Sequence, residues 1–142
     1  MKFILIILSF LTLNNGCAQE NIDQDAISLE YSASSRGTFK NIKITKKNIS
    51  YISARGNEPT ITVCKKEDWS TLLKTLKDID ISNIPNLKAP SENRFFDGAA
   101  MANFKIIYQG KTYETPTFDH GNPPKEIAQL VKEMLSISEN IE

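Results

Sequence analysis

The chain predicts a two-layer α+β fold: an antiparallel sheet, formed by a meander of about four strands plus a C-terminal hairpin, with two amphipathic helices packed on one face. Three observations carry that expectation. Apolar residues alternate with polar ones through the first half of the chain, two later segments switch to helical spacing, and a glycine-containing break separates two further alternating runs. The chain has 142 residues and no long structureless tract, so one domain is expected.

In the first alternating segment Ile27, Leu29 and Tyr31 interleave with Ser28, Glu30 and Ser32. Ser34-Ser35-Arg36-Gly37 breaks it, and Thr38–Thr45 resumes the pattern through Ile42 and Ile44. Lys46-Lys47-Asn48 reads as a turn before a strand carrying Ile49, Tyr51 and Ser53. Gly56-Asn57-Glu58-Pro59 is the next turn, and Thr60–Cys64 the next strand. Trp69, Leu72, Leu73, Leu76 and Ile79 then recur at the spacing of one helix face, placing Trp69 in the core. Glu67 and Asp68 suit the positive end of the helix dipole, but Cys64, Lys65 and Lys66 are poor N-caps. Asp80–Asn93 holds two prolines and no period, a long connection that Ile81, Ile84 and Leu87 are expected to pin down.

The hairpin runs through Ala102–Tyr108 and Lys111–Phe118 around Gln109-Gly110. A regular register sets Lys105 opposite Glu114 on the wet face, with Phe104, Ile106, Tyr108 and Tyr113 on the other. It also sets Asp97 opposite Asn122, Ala99 opposite His120, and Ala100 opposite Asp119. Ile127, Leu130, Val131, Met134 and Leu135 define the second helix, with Asn122 as N-cap, Pro123 at its first position and Lys125-Glu126 on the wet side. Fraying is expected from Ser138.

Met1-Lys2 followed by the apolar run Phe3–Leu13 fits a signal peptide; a bilayer span takes about 20 residues and this run is shorter. Asn14-Asn15-Gly16-Cys17 resembles the lipobox of bacterial lipoproteins, although Leu13 lies one position further from the Cys than usual. The resemblance implies cleavage before Cys17 and a lipid on it. The competing cut is after Ala18, behind the small residues Gly16 and Ala18, which would leave a periplasmic or secreted chain. The expected division is a signal peptide over 1–16, a lipidated Cys17 and tether over 17–25, one α+β domain over 26–138, and a frayed end over 139–142. Either cut leaves Cys64 without a disulfide partner, and its place beside Ile61 and Val63 assigns it to core packing.

Basic and acidic residues balance at 17 each, which argues against a nucleic-acid partner. Lys40, Lys43, Lys46 and Lys47 read as the solvated side and end of a strand; contact with membrane headgroups or a polyanion is the minor alternative.

The open end of the hairpin gathers Arg94, Asp97, Asp119, His120 and Asn122, the one set of residues suited to chemistry. Two carboxylates and an imidazole can bind a divalent metal or divide acid and base roles. The regular register separates Asp119 from Asp97 and His120 unless a bulge at Gly98 re-aims one acid. No HxxxH, HExxH or Cys-His set accompanies the single His, so no metal or other cofactor is expected. No serine sits in a nucleophile-elbow context, so no catalytic residue is assigned. The structural reading explains the cluster more fully: Asp119 forms an Asx-turn over Gly121, His120 bonds a backbone carbonyl, Asn122 caps the helix, Arg94 pairs with one acid, and Phe95, Phe96 and Phe118 bury beside them.

The succession ISLEYSASSRGTFKNIKI, then CKKEDWSTLLKTL, then FDHGNPPKEIAQLVKEML resembles an uncharacterised domain of small exported bacterial lipoproteins, over Ala26 to about Ile137. That resemblance implies fold and envelope location and brings no activity. The function expected is a non-enzymatic, lipid-anchored envelope protein, held in the membrane by Cys17 and acting as a binding or accessory module for a protein or cell-wall partner. The alternatives are a small hydrolase or metal-dependent enzyme using Asp97, Asp119 and His120, and a plainly secreted or periplasmic structural protein.

Overall fold

A computed structural model of the chain describes residues 23–141. The segment expected to be a signal peptide, Cys17 and most of the expected tether lie outside the described residues. The alternating segments form β1 (Ser28–Ser34), β2 (Phe39–Thr45), β3 (Asn48–Ile52) and β4 (Thr60–Val63). After α1 (Lys66–Leu76) come two 3-10 stretches, Ile81–Asn86 and Asn93–Phe96, then β5 (Met101–Tyr108), β6 (Lys111–Glu114), β7 (Phe118–Asp119) and α2 (Ala128–Glu139). The sheet is antiparallel in the order β4-β3-β2-β1-β5-β6, with β7 also on β5. The hairpin therefore docks on the first strand and puts β1 near the middle. The architecture is the expected α+β, two-layer one.

Alternation decides which side of each strand is dry. Tyr31, Ile42, Ile44, Phe104 and Ile106 are all at most 1% exposed and share the face that meets Leu72, Leu130 and Met134 of the helices. Each fully buried Leu, Ile or Phe stabilises the fold by roughly 1.5–3 kcal/mol relative to leaving it in water. On the opposite face Glu30 accepts from both Lys43, at 3.1 Å, and Lys105. Lys105 lies opposite Glu114 as the hairpin register requires, yet its ammonium turns to Glu30 on the neighbouring strand, and Glu114 accepts from Asn103 instead.

Helix α1 starts at Lys66 behind Lys65, which makes no side-chain cap bond, in keeping with the poor caps there. The start of α2 differs from expectation. Asn122 does not cap it, and the helix begins at Ala128 after a turn in which Ile127 donates to the Pro124 carbonyl at 3.1 Å. Pro124 is the reason: a residue that precedes proline is driven out of the helical region, so Pro123 cannot be the first helical residue. The far end is firmer than expected, since Ile137 and Ser138 are buried and the Ser138 hydroxyl donates to the Leu135 carbonyl at 2.7 Å. Cys64 is buried as expected, but Ile61 and Val63 beside it are exposed because they lie on the wet face of the edge strand β4.

One departure in the sheet positions everything at the hairpin's open end. Thr115 still follows the turn register: its N–H donates to the Phe104 carbonyl at 2.9 Å and its hydroxyl accepts from the Phe104 N–H at 3.0 Å. Phe118 then stands opposite Ala102, and Asp119 opposite Met101. The outer strand has used one residue more than β5 between these pairs. The offset falls at Pro116-Thr117 and not at Gly98, because Pro116 has no N–H for the ladder and ends the pairing there. Since side chains alternate, one extra residue exchanges the two faces. Asp119 goes to the wet side of the sheet, and His120, whose N–H donates to the Ala100 carbonyl at 2.9 Å, goes to the dry side.

Candidate functional site

Asp119 sits in β7 under the loop that precedes β5, and only 2% of it is exposed. Such a carboxylate must be paired and fully bonded. Its Oδ2 accepts from the Ser91 hydroxyl at 2.6 Å and the Asn93 N–H at 2.8 Å; its Oδ1 accepts from the Arg94 N–H and the Arg94 Nη1, each at 3.0 Å. Burial alone would push this carboxyl up, but the bonds from Ser91, Arg94 and Asn93 outweigh it and hold the pKa down at about 2. The group stays ionised and is a weak proton acceptor at neutral pH. It acts as a latch, and the Asx-turn expected over Gly121 is supplanted by these contacts.

Arg94 completes the latch. Nη1 also donates to the Ser91 carbonyl at 2.6 Å, Nε donates to Thr117 Oγ1 at 3.3 Å, and the guanidinium lies 4.3 Å from the centroid of the Phe95 ring. Asn122, freed from capping, donates through Nδ2 to Ser91 Oγ at 2.8 Å, and its N–H donates to the Asp119 carbonyl at 2.9 Å. The loop closes at Asp97, whose φ of 57° is left-handed, with the Gly98 N–H donating to the Asn93 carbonyl at 2.9 Å.

His120 belongs to a different environment. Tyr31 Oη lies 2.7 Å from its Nδ1, and the two rings are 6.0 Å apart. Burial raises the Tyr31 phenol, so it keeps its proton and donates to Nδ1. The imidazole hydrogen is then on Nε2. Burial first, and the Lys40 charge second, lower the His120 pKa and favour that neutral form. The partner is thus a tyrosine side chain and not the backbone carbonyl expected, because the register offset carries the ring to the dry side.

The five residues singled out from sequence divide in consequence. Arg94, Asp119 and Asn122 meet around Ser91, Asp97 is exposed at the mouth of a neighbouring groove, and His120 bonds Tyr31. No group of three His, Cys, Asp or Glu side chains fit to hold a metal occurs among the described residues. Ser91 and Tyr31 are the members sequence reading missed: Ser91 lies in a stretch without period, and Tyr31 carries the ordinary signature of a core strand position.

What the latch displays is apolar. Phe95 and Phe96 were expected to bury with Phe118, but only Phe118 does; Phe95 is 56% exposed, Phe96 82% and Met101 45%. Beside them lies a shallow groove of about 530 Å³, lined by Arg36, Arg55, Arg94, Asp97 and Met101 among others. Arg55 is itself fixed, donating to Ser34 Oγ at 2.8 Å and the Ser35 carbonyl at 2.9 Å. Comparison with protein-family models, curated proteins and solved structures finds no match for this chain.

Proposed function

We propose that this chain is a non-enzymatic envelope protein, anchored through a lipid on Cys17, whose hairpin end docks a protein partner. The observation that carries the reading is the 91–97 loop: a buried ion pair fastens it to the sheet while Phe95 and Phe96 stand out into solvent. Exposed Phe and Met beside arginine is the composition of an interface centre, and a loop already fixed loses little entropy on association. Arg36 and Arg55 favour a partner that offers carboxylates around an apolar contact. Against a hydrolytic role stands the chemistry of the side chains themselves: Asp119 is committed to four donors and His120 to Tyr31. Among the described residues no helix is long and apolar enough to cross a membrane.

The test is site-specific photo-crosslinking of the full chain expressed in bacteria, with benzoylphenylalanine at Phe96 and, as control, at the exposed Lys132 of α2. A discrete adduct at position 96 alone, lost when Arg36 and Arg55 are both changed to Glu, is expected. The same pattern at both positions, or none at 96, overturns the docking surface. Cys17→Ser is expected to move the chain from the membrane to the soluble fraction.

A further inference from the structure

At the other end of the sheet a groove of about 1050 Å³ runs between the β2–β3 turn, the end of β4 and helix α1. Its lining holds five lysines, Lys46, Lys47, Lys66, Lys74 and Lys77, against one acid, Asp25, which Lys46 already engages at 3.3 Å. The other four form no ion pair among the described residues. The chain as a whole is neutral, so this concentration of like charge is local. The wall includes Trp69, whose buried indole N–H has no acceptor among the described residues, and Val63, 74% exposed. A concave surface with free ammonium groups and an exposed aliphatic side chain suits a phosphate attached to something greasy.

The position of the groove says which source of phosphate. Gln24 and Asp25, at the start of the described chain, form part of its wall. Cys17 precedes Asp23 by six positions, a reach of at most about 20 Å however the intervening residues run. A lipid on Cys17 therefore keeps the groove close to the bilayer surface, where each nearby lysine strengthens attraction to anionic lipid by roughly fivefold. We infer that the lysine groove is a binding site for anionic phospholipid headgroups that seats the domain against the membrane holding its anchor. The inference rests on the anchored reading. It also gives the two ends of the sheet different tasks, one end on the membrane and the other presenting Phe95 and Phe96.

Trp69 is the only tryptophan in the chain, so its emission reports on this groove alone. The mature chain, purified from bacterial membranes as processed there, is mixed with vesicles of phosphatidylcholine alone or with phosphatidylglycerol added, each carrying a dansyl headgroup acceptor. Flotation with the neutral vesicles reads the anchor; energy transfer from Trp69 reads the groove. Transfer is expected to rise at least about twofold with phosphatidylglycerol and to lose that gain at high salt. The double change Lys47→Glu, Lys66→Glu, at exposed positions, is expected to lose it too, with the thermal melt showing that the variant folds.

Equal transfer in the two vesicle types, with flotation intact, overturns the headgroup site and leaves the anchor standing. Failure to float with neutral vesicles, with transfer still gained from phosphatidylglycerol, removes the anchor and keeps the site. Inorganic phosphate that shifts Trp69 emission while the vesicles show no preference assigns the groove to a soluble anion and overturns the membrane role. A lysine double variant indistinguishable from the parent overturns the site.

Discussion

Arg94 Nη1 stands 3.0 Å from Asp119 Oδ1, and the two side chains are 7% and 2% exposed. An ion pair so enclosed contributes less through its own attraction than through what it forbids. Neither charge is left alone in that space without a large cost, so arrangements of the loop from Ser91 to Asp97 that part the two are disfavoured. The latch is the reason that an irregular segment carries its aromatic rings in a definite place.

Asp119→Asn keeps the shape and removes the charge, leaving the Arg94 guanidinium buried without its counterion. A fall in Tm of more than about 5 °C is expected by calorimetry. Ser91→Ala removes one donor of four and is expected to cost less. Similar losses for the two would mean that hydrogen bonding, and not the charge pair, holds the loop.

Acid is expected to release the latch. The folded Asp119 titrates at about 2 against an ordinary 3.8, so its contribution is complete above about pH 4 and disappears as pH falls toward 2. Glu30 acts in the same direction from an ordinary 4.5: burial raises it, but the bonds and charges of Lys105 and Lys43 outweigh that and lower it. Urea midpoints measured across this range should drop steeply for the parent. The drop should be shallower for Asp119→Asn, which has no carboxyl left to protonate at that site.

Tyr31→Phe retains the ring and deletes the bond to His120, for an expected cost of about 1 kcal/mol in urea unfolding. The imidazole should titrate below its ordinary 6.5 by NMR. A depressed His pKa favours the fold above 6.5 and is lost as pH falls through the lowered value. Lys40→Gln should raise the midpoint while leaving it below 6.5, because burial is the larger cause.

Exposure and burial at the same hairpin predict opposite outcomes for two phenylalanines. Phe104→Ala empties a site that is 0% exposed and should cost about 3–5 kcal/mol. Phe96→Ser, at 82% exposure, should change stability by no more than about 0.5 kcal/mol in a denaturant titration. A large loss at Phe96 would assign it to the fold and remove it from the docking surface.

Strand and helix identity was legible because period is a property of consecutive residues. The hairpin register could be extended from Gln109-Gly110 to Lys105 and Glu114 for the same reason. The α1 start showed its weakness in Lys65 and Lys66. What escaped was set by contacts across space or by proline stereochemistry at one point. Pro123-Pro124 offered a good helix start in its first residue and forbade it in its second. Phe95 and Phe96 looked like core because aromatic residues usually are; their exposure follows from a turn fastened by Asp119, which lies far along the chain. Ser91 carried no local signal at all.

The additional residue at Pro116-Thr117 works as a phase shift in a two-beat pattern. Upstream of it the outer strand keeps time with Gln109-Gly110; downstream Phe118, Asp119 and His120 fall on the contrary beat. Remove one position there and every letter could stay the same while the aspartate turned toward the oil and the imidazole toward water. A deletion between Thr115 and Phe118 is therefore a different kind of change from a substitution there, since it alone exchanges the faces of everything downstream.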